Sequence, residues 1–261
     1  RLCVLERGWG GLRHTHVLVA RGIVRSPEQM DLALLVRRGA GRIKTGEYEF
    51  SGALSAWDAV GILLSGKVKT YKVTVVPGDT VAKALQKFTA AGLFPAPTPT
   101  QVNGWADEFE GVIRPDTYLF TKPLTATGAL AHLRAAADKF WTPEREAQAH
   151  AHGLSKREIS TIASIIERET ALNAEKPLVS AVIANRLKLG MPLQTDPVNI
   201  YGLERTGRYH CIAAHDEMNN ETPYNSHPHT GLPRSLIGAP DEPPRFAART
   251  PPSARTPPLG R

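Results

Sequence analysis

Glu167 and Glu169 stand two positions apart around Arg168 in the stretch ASIIERETALNAEK, residues 163–176. A carboxyl at the border of a buried helix face is partly desolvated, and the raised pKa fits it to act as a general acid near neutral pH. The residues just upstream form such a helix. Ser155 is an N-cap with Glu158 three positions on, the capping-box spacing. Ile159, Ile162, Ala163 and Ile166 then recur at helical intervals. At about 100° per residue, Glu167 lies beside Ala163 on one edge of this stripe and Glu169 beside Ile162 and Ile165 on the other. Arg168 is expected to point the opposite way, into solvent. Ordinary solvated or ion-paired glutamates give the same pattern, and periodicity does not choose between the two.

Two polar stretches follow. In SAVIANRLKLGMPLQTDPVNIYG a helix ends at Gly190, and Gln194, Thr195, Asp196 and Tyr201 are expected to crowd into a loop. Their amide, hydroxyl and carboxylate groups suit hydrogen bonding to a sugar, although a loop closing its own Asx-type turns has the same composition. In TPYNSHPHTGLP, Tyr224 could stack on a carbohydrate and Asn225 could bond to it.

The elements that must hold these residues are legible upstream. Ser26, Pro27 and Gly39 bracket a helix as N-cap, first turn and stop. RIKTGEYEFSG alternates as a short strand, LSAWDAVGILLSGK resumes a helical period, and TYKVTVVPGDT is a strand ended by Pro77–Gly78. Thr80 can cap the helix VAKALQKFTAAGLF, and PAPTPT reads as a linker or surface loop. From LTATGALAHLRAAADKFW to about residue 190 the chain is mainly helical. The expected fold class is α+β. A small α/β module spans 1–104, a mainly helical α+β domain 105–240, and a disordered tail 241–261, where Pro, Arg and Ala dominate.

Composition narrows the classes. A chain of 261 residues with 41% hydrophobic and 22% charged residues is globular in type. The charge of +7 and pI near 9.5 attract polyanions. Lys and Arg are scattered rather than striped, however, so no nucleic acid partner is read. Cys3 and Cys211 are expected to be idle thiols without zinc spacing. His150 and His152 face different sides of a helix, and no metal site or cofactor is expected. No run reaches the roughly 18 apolar residues of a membrane helix.

TIASIIERET, VIANRLKLGMPLQTDPVNIYG and PYNSHPHTGLP together resemble the endolytic murein transglycosylases, the YceG-like family. FEGVIRPDTYLF, IKTGEYEF and VTVVPGDTVAKAL extend the resemblance over roughly residues 20 to 240. The family implies a LysM-like module before the catalytic domain. It also implies lytic cleavage of the bond between N-acetylmuramic acid and N-acetylglucosamine in peptidoglycan, which leaves 1,6-anhydro ends. That is carbon–oxygen lyase chemistry in cell wall biogenesis.

By the resemblance, Glu167 is the catalytic glutamate. Gln194, Tyr224 and Asn225 match the family's substrate-facing motifs, with Thr195, Asp196 and Tyr201 beside them. Glu169, Asn185, Asp116 and Tyr118 are expected in supporting roles, with a structural turn at Pro115–Asp116 the simpler alternative for the last pair.

The implied partners are peptidoglycan glycan strands and the wall-synthesis machinery. The implied location is the outer face of the bacterial cytoplasmic membrane, reached in the family through an anchor helix, which is not expected within these residues. The first dozen residues do not read as the family's leading strand and helix, His227 replaces an aromatic, and the tail replaces a final strand-forming segment. An inactive peptidoglycan-binding protein and a hydrolytic glycosidase are the alternatives.

Overall fold

The apolar run of the first residues builds a strand: β1 (Leu2–Leu5) pairs antiparallel with β2 (Gly46–Glu49), with Cys3 opposite Tyr48 and Leu5 opposite Gly46. A helix, α1 (Gly11–Ala20), follows. The opening dozen residues therefore do supply a leading strand and helix, contrary to expectation, because Cys3 and Leu5 both turn into a core. The computed structural model describes residues 1–6, 11–39, 41–208 and 222–249. Cys211 lies outside them.

The chain divides into two interleaved compact units. The first comprises Arg1–Val73, Phe88–Pro95 and Thr117–Thr125. Its helices α2 (Pro27–Val36) and α3 (Ala56–Ser65) begin as their caps dictate, Ser26 accepting from Gln29 N and Ser55 from Asp58 N. Leu18, Ile23, Met30, Leu34, Tyr48, Phe50, Val60 and Leu63 fill the core between helices and sheet. The strand β3 (Tyr71–Val75) pairs with β4 (Asp116–Phe120) in a second two-stranded sheet.

The second unit comprises Thr74–Lys87, Ala96–Asp116 and the chain from Ala126 onward. The helix α4 (Val81–Ala90) begins in it. The last two residues of the expected linker, Pro99 and Thr100, are in fact the start of α5 (Pro99–Phe109). Thr98 and Gln101 form a capping box with Pro99 in the first turn, so TPTQ is a helix start inside a proline-rich run. Then come α6 (Ala126–Asp138), α7 (Pro143–Ala151), α8 (Lys156–Glu169), α9 (Lys176–Lys188) and α10 (Asp196–Thr206).

The central element is α8, buried at every position from Ile159 to Ile166. Its isoleucines meet Ile183 of α9, Val198 and Tyr201 of α10, and Ile237. A last helix, α11 (Glu242–Arg249), corrects the expected disorder of the tail as far as Arg249, and residues 250–261 lie outside the described part. Its Ala247 and Ala248 are small enough to seat against α8 and α9, and Ser180 Oγ donates to Ala247 O at 2.8 Å. Gly111, at φ 68°, is required where the chain passes Leu236, whose Cβ would lie 2.3 Å from any added Cβ.

Candidate functional site

The helix α8 opens with the expected capping box: Glu158 N donates to Ser155 Oγ at 3.2 Å, and Ser155 N to Glu158 Oε2 at 2.8 Å. It closes at Thr170, and the two glutamates of its last turn are treated very differently. Lys176 Nζ lies 3.0 Å from Glu167 Oε1, the two side chains being 5% and 6% exposed. The other oxygen, Oε2, accepts from Asp241 N at 2.9 Å. Both oxygens are thus committed inside the protein.

Glu169 is exposed, yet partial burial pushes its carboxyl pKa up; the Asp196 carboxylate adds to this and the Arg186 guanidinium opposes it. A solvent-accessible carboxyl whose pKa is raised suits the role of a general acid.

Arg168 does not point into solvent. Its side chain is 12% exposed, Nη2 lies 3.1 Å from Glu204 Oε2, and Nη1 donates to Ile237 O at 2.9 Å. Pairing with Glu204 and the carbonyl compensates the desolvated guanidinium, which a helical wheel cannot foresee.

Of the expected polar set, Asp196 acts on Glu169, and the others lie on the turn before it, on α9 or near Ser226. Gln194 is exposed and holds a left-handed backbone, φ 48°, uncommon for a residue with a Cβ. Ser226 fastens this turn: Gln194 N donates to Ser226 O, Thr195 N to Ser226 Oγ, and Ser226 Oγ to Thr195 O, at 2.9, 2.9 and 3.0 Å. Asp196 Oδ1 lies 3.6 Å from His227 Nε2. Thr195 Oγ1 is buried without a hydrogen-bond partner among the described residues. Arg186 of α9 reaches Leu193 O, and Asn185, half-buried, precedes it. Asn225 is buried and uses Oδ1 to accept from His227 N at 3.1 Å.

Tyr201 departs from the expected loop. It lies within α10, which begins at Asp196, and its ring is buried edge-on to Tyr224, 5.0 Å between centroids. Pro197 and the following apolar residues continue as helix, so only Gln194 and Thr195 remain non-helical. Tyr224 is half-buried, its hydroxyl 2.9 Å from Ser235 Oγ and accepting from Arg205 Nη1 at 3.4 Å. The two tyrosines thus make a packed pair. Asp116 is exposed at the start of β4, while Tyr118 is buried against Phe120 in the first unit.

One acidic residue was not anticipated. Glu110, directly after α5, is 4% exposed and accepts from Val81 N at 3.3 Å and from Tyr201 Oη at 3.1 Å. Burial pushes its pKa up to about 7, against the opposing pull of Val81 N, Tyr201, Arg168 and Arg205. The only sequence signal is its place between the apolar helix end Phe109 and Gly111.

Residues 4–255 match the YceG-like family. An endolytic murein transglycosylase of Bacillus subtilis (strain 168) is 29% identical over 123 residues, 47% of this chain and 33% of that protein. One from Streptococcus pneumoniae serotype 2 (strain D39 / NCTC 7466) is 28% identical over 144 residues, 54% of this chain and 26% of that protein. The aligned part spans a third or less of these curated relatives. A crystal structure of a yceG-like protein from Listeria monocytogenes shares the fold, with TM-score 0.58 at 20% identity over 96% of this chain and 90% of that one.

Proposed function

Because the chain belongs to the YceG-like family, we propose that it carries the catalytic part of a lytic endotransglycosylase acting on the glycan strands of peptidoglycan. Glu169 is the acid and base of this reading. The observation that carries it is the contrast between the two carboxyls of α8. Glu169 is solvent-accessible with a raised pKa beside Asp196, whereas Glu167 is sealed between Lys176 and Asp241 N. The sequence resemblance pointed to Glu167; its ion pair fits it instead to fix the end of α8.

In this mechanism protonated Glu169 gives its proton to the glycosidic oxygen as the bond from the muramic anomeric carbon breaks. The resulting carboxylate takes the proton of the muramic C6 hydroxyl, and O6 bonds to the same anomeric carbon. The product is a 1,6-anhydromuramyl end and a free N-acetylglucosamine hydroxyl, with no water consumed. One carboxyl acts twice, whereas hydrolytic glycosidases flank the bond with two. Gln194, Thr195 and Asp196 are the sugar-binding groups of this reading, and Ser226 holds the backbone of the first two. Asn225 and Asn185 support the turn and α9, while Tyr201, Tyr224 and Glu110 support the packing beneath. The partner machinery and membrane location implied by the family belong to this same reading. No helix among the described residues is long and apolar enough to cross a membrane.

The deciding experiment incubates purified glycan strands with the parent protein, Glu169→Gln and Glu167→Gln, and reads the ends by mass spectrometry. Anhydromuramyl ends from the parent that vanish in Glu169→Gln support the assignment. Reducing ends mean hydrolysis and overturn it. Binding without cleavage by a folded parent means a wall-binding protein.

A further inference from the structure

Away from the glutamates, the second unit has a cleft of about 380 Å3 formed by α6, the start of α8 and α11. Arg134, Lys156, Arg157 and Arg245 all line it, against the carboxylates of Glu108 and Asp138. Glu108 is already 3.6 Å from Arg134, and Lys156 divides its charge between Glu146 at 3.5 Å and the face of Trp141 at 5.4 Å. Positive charge is therefore in excess on its walls.

The innermost cation is the unusual one. Arg245 is 4% exposed, stands over the Phe140 ring at 5.1 Å, and donates from Nε to Pro240 O at 3.3 Å. Among the described residues, no carboxylate comes within ion-pair distance of its guanidinium and no hydrogen bond uses Nη1 or Nη2. The carboxylates of Asp241, Glu242 and Asp138 act on it only from beyond ion-pair distance and do not offset its burial, and a planar fork of unused donors matches the two oxygens of a carboxylate or phosphate.

We propose that this cleft binds an organic oxyanion, a carboxylate or a phosphate, on the fork of Arg245, with Arg134 and Lys156 at the rim and the Trp141 ring against the ligand's body. Burial and the charge of Arg114 lower the Arg245 pKa to about 10 against the opposing pull of Asp241, Glu242 and Asp138, which leaves the guanidinium charged at neutral pH. The volume exceeds what a bare ion fills, and Trp141 offers a flat apolar wall, so a small molecule or a chain end fits better than an inorganic ion. A cleft of this kind is also not the extended basic stripe that nucleic acid requires. The inference does not depend on the transglycosylase reading.

The test is a tryptophan-fluorescence titration at fixed ionic strength, with sodium phosphate, N-acetylalanine and, as neutral control, N-acetylalanine amide. A saturable change is expected with at least one oxyanion and none with the amide; which oxyanion saturates identifies the ligand class. Arg134→Gln and Lys156→Gln, both at the exposed rim, should each weaken binding several-fold, and Arg245→Met by about tenfold or more. The proposal is overturned if neither oxyanion saturates, if the amide binds as well, or if the rim variants and a folded Arg245→Met bind like the parent. Should Arg245→Met fail to fold, the double variant Arg134→Gln/Lys156→Gln decides: unchanged affinity sinks the proposal.

Discussion

Lys176 and Glu167, the first residue of α9 and a residue in the last turn of α8, form an ion pair at 3.0 Å that solvent barely touches. With Asp241 N on the second oxygen, this contact ties α8, α9 and the approach to α11 at one point. A pair buried this deeply is sensitive to the loss of either member, since the survivor stays behind as an uncompensated charge.

Lys176→Met should therefore destabilise the protein by about 3–5 kcal/mol. The double variant Lys176→Met/Glu167→Met should recover much of that loss. Urea denaturation of parent, single and double variants checks both; equal stabilities for all three would remove the pair from the account.

Glu110 carries a prediction about pH. Its folded-state pKa of about 7 lies above the ordinary 4.5, so the folded protein binds the proton more tightly than the unfolded chain. The contribution to stability is full below about pH 4.5 and is lost as pH rises toward about 7, a total of about 3 kcal/mol. In Glu110→Gln that fall should disappear from a plot of unfolding free energy against pH, whatever the absolute stability of the variant.

For Glu169, removal of the carboxyl as Glu169→Gln should lower the release of anhydromuramyl ends by about 10²–10⁴-fold with the thermal midpoint little changed. Loss of fold in this variant, or full activity, would return the role to Glu167.

The neighbours of Glu169 should move its titration in opposite senses. Asp196 raises its pKa, so Asp196→Asn should shift the alkaline limb of the activity profile, where the protonated acid is lost, to lower pH. Arg186 lowers it, so Arg186→Gln should shift the same limb upward. Profiles that coincide with the parent's would detach both residues from the reaction.

Docking of α11 can be weighed through Ser180, whose buried hydroxyl donates to Ala247 O. Ser180→Ala leaves that carbonyl without its donor and should cost about 1–3 kcal/mol, read as a lowered denaturation midpoint.

Local signals carried much of this architecture. The capping box of Ser155 and Glu158, Pro27 after Ser26, the β-branched run at Tyr71–Val75 and the isoleucine stripe of α8 each act within a few residues, and each element formed where its signal stood. The start of α5 escaped although its capping box is local, because prolines surround it; most of the rest depends on partners far away in sequence. Arg168 is drawn inward by Glu204 and Ile237, Tyr201 is turned toward Glu110, and α11 is stabilised by surfaces on α8 and α9. An eight-residue segment with two prolines has no such stability alone, so its composition reads as disorder. The different surroundings of the two glutamates were invisible for the same reason, because Lys176 and Asp241 engage Glu167 from outside its helix.

The isoleucines of α8 act as an angular index. Residues two apart on a helix face about 200° apart, so the orientation that shelters Glu167 is the one that offers Glu169 to solvent. Slipping one residue along α8 would turn its last turn by about 100°, pulling one carboxyl off its lysine and the other away from Asp196 together. A single insertion between Ile162 and Ile166 would thus misplace both acids while leaving every polar residue of the site in the sequence.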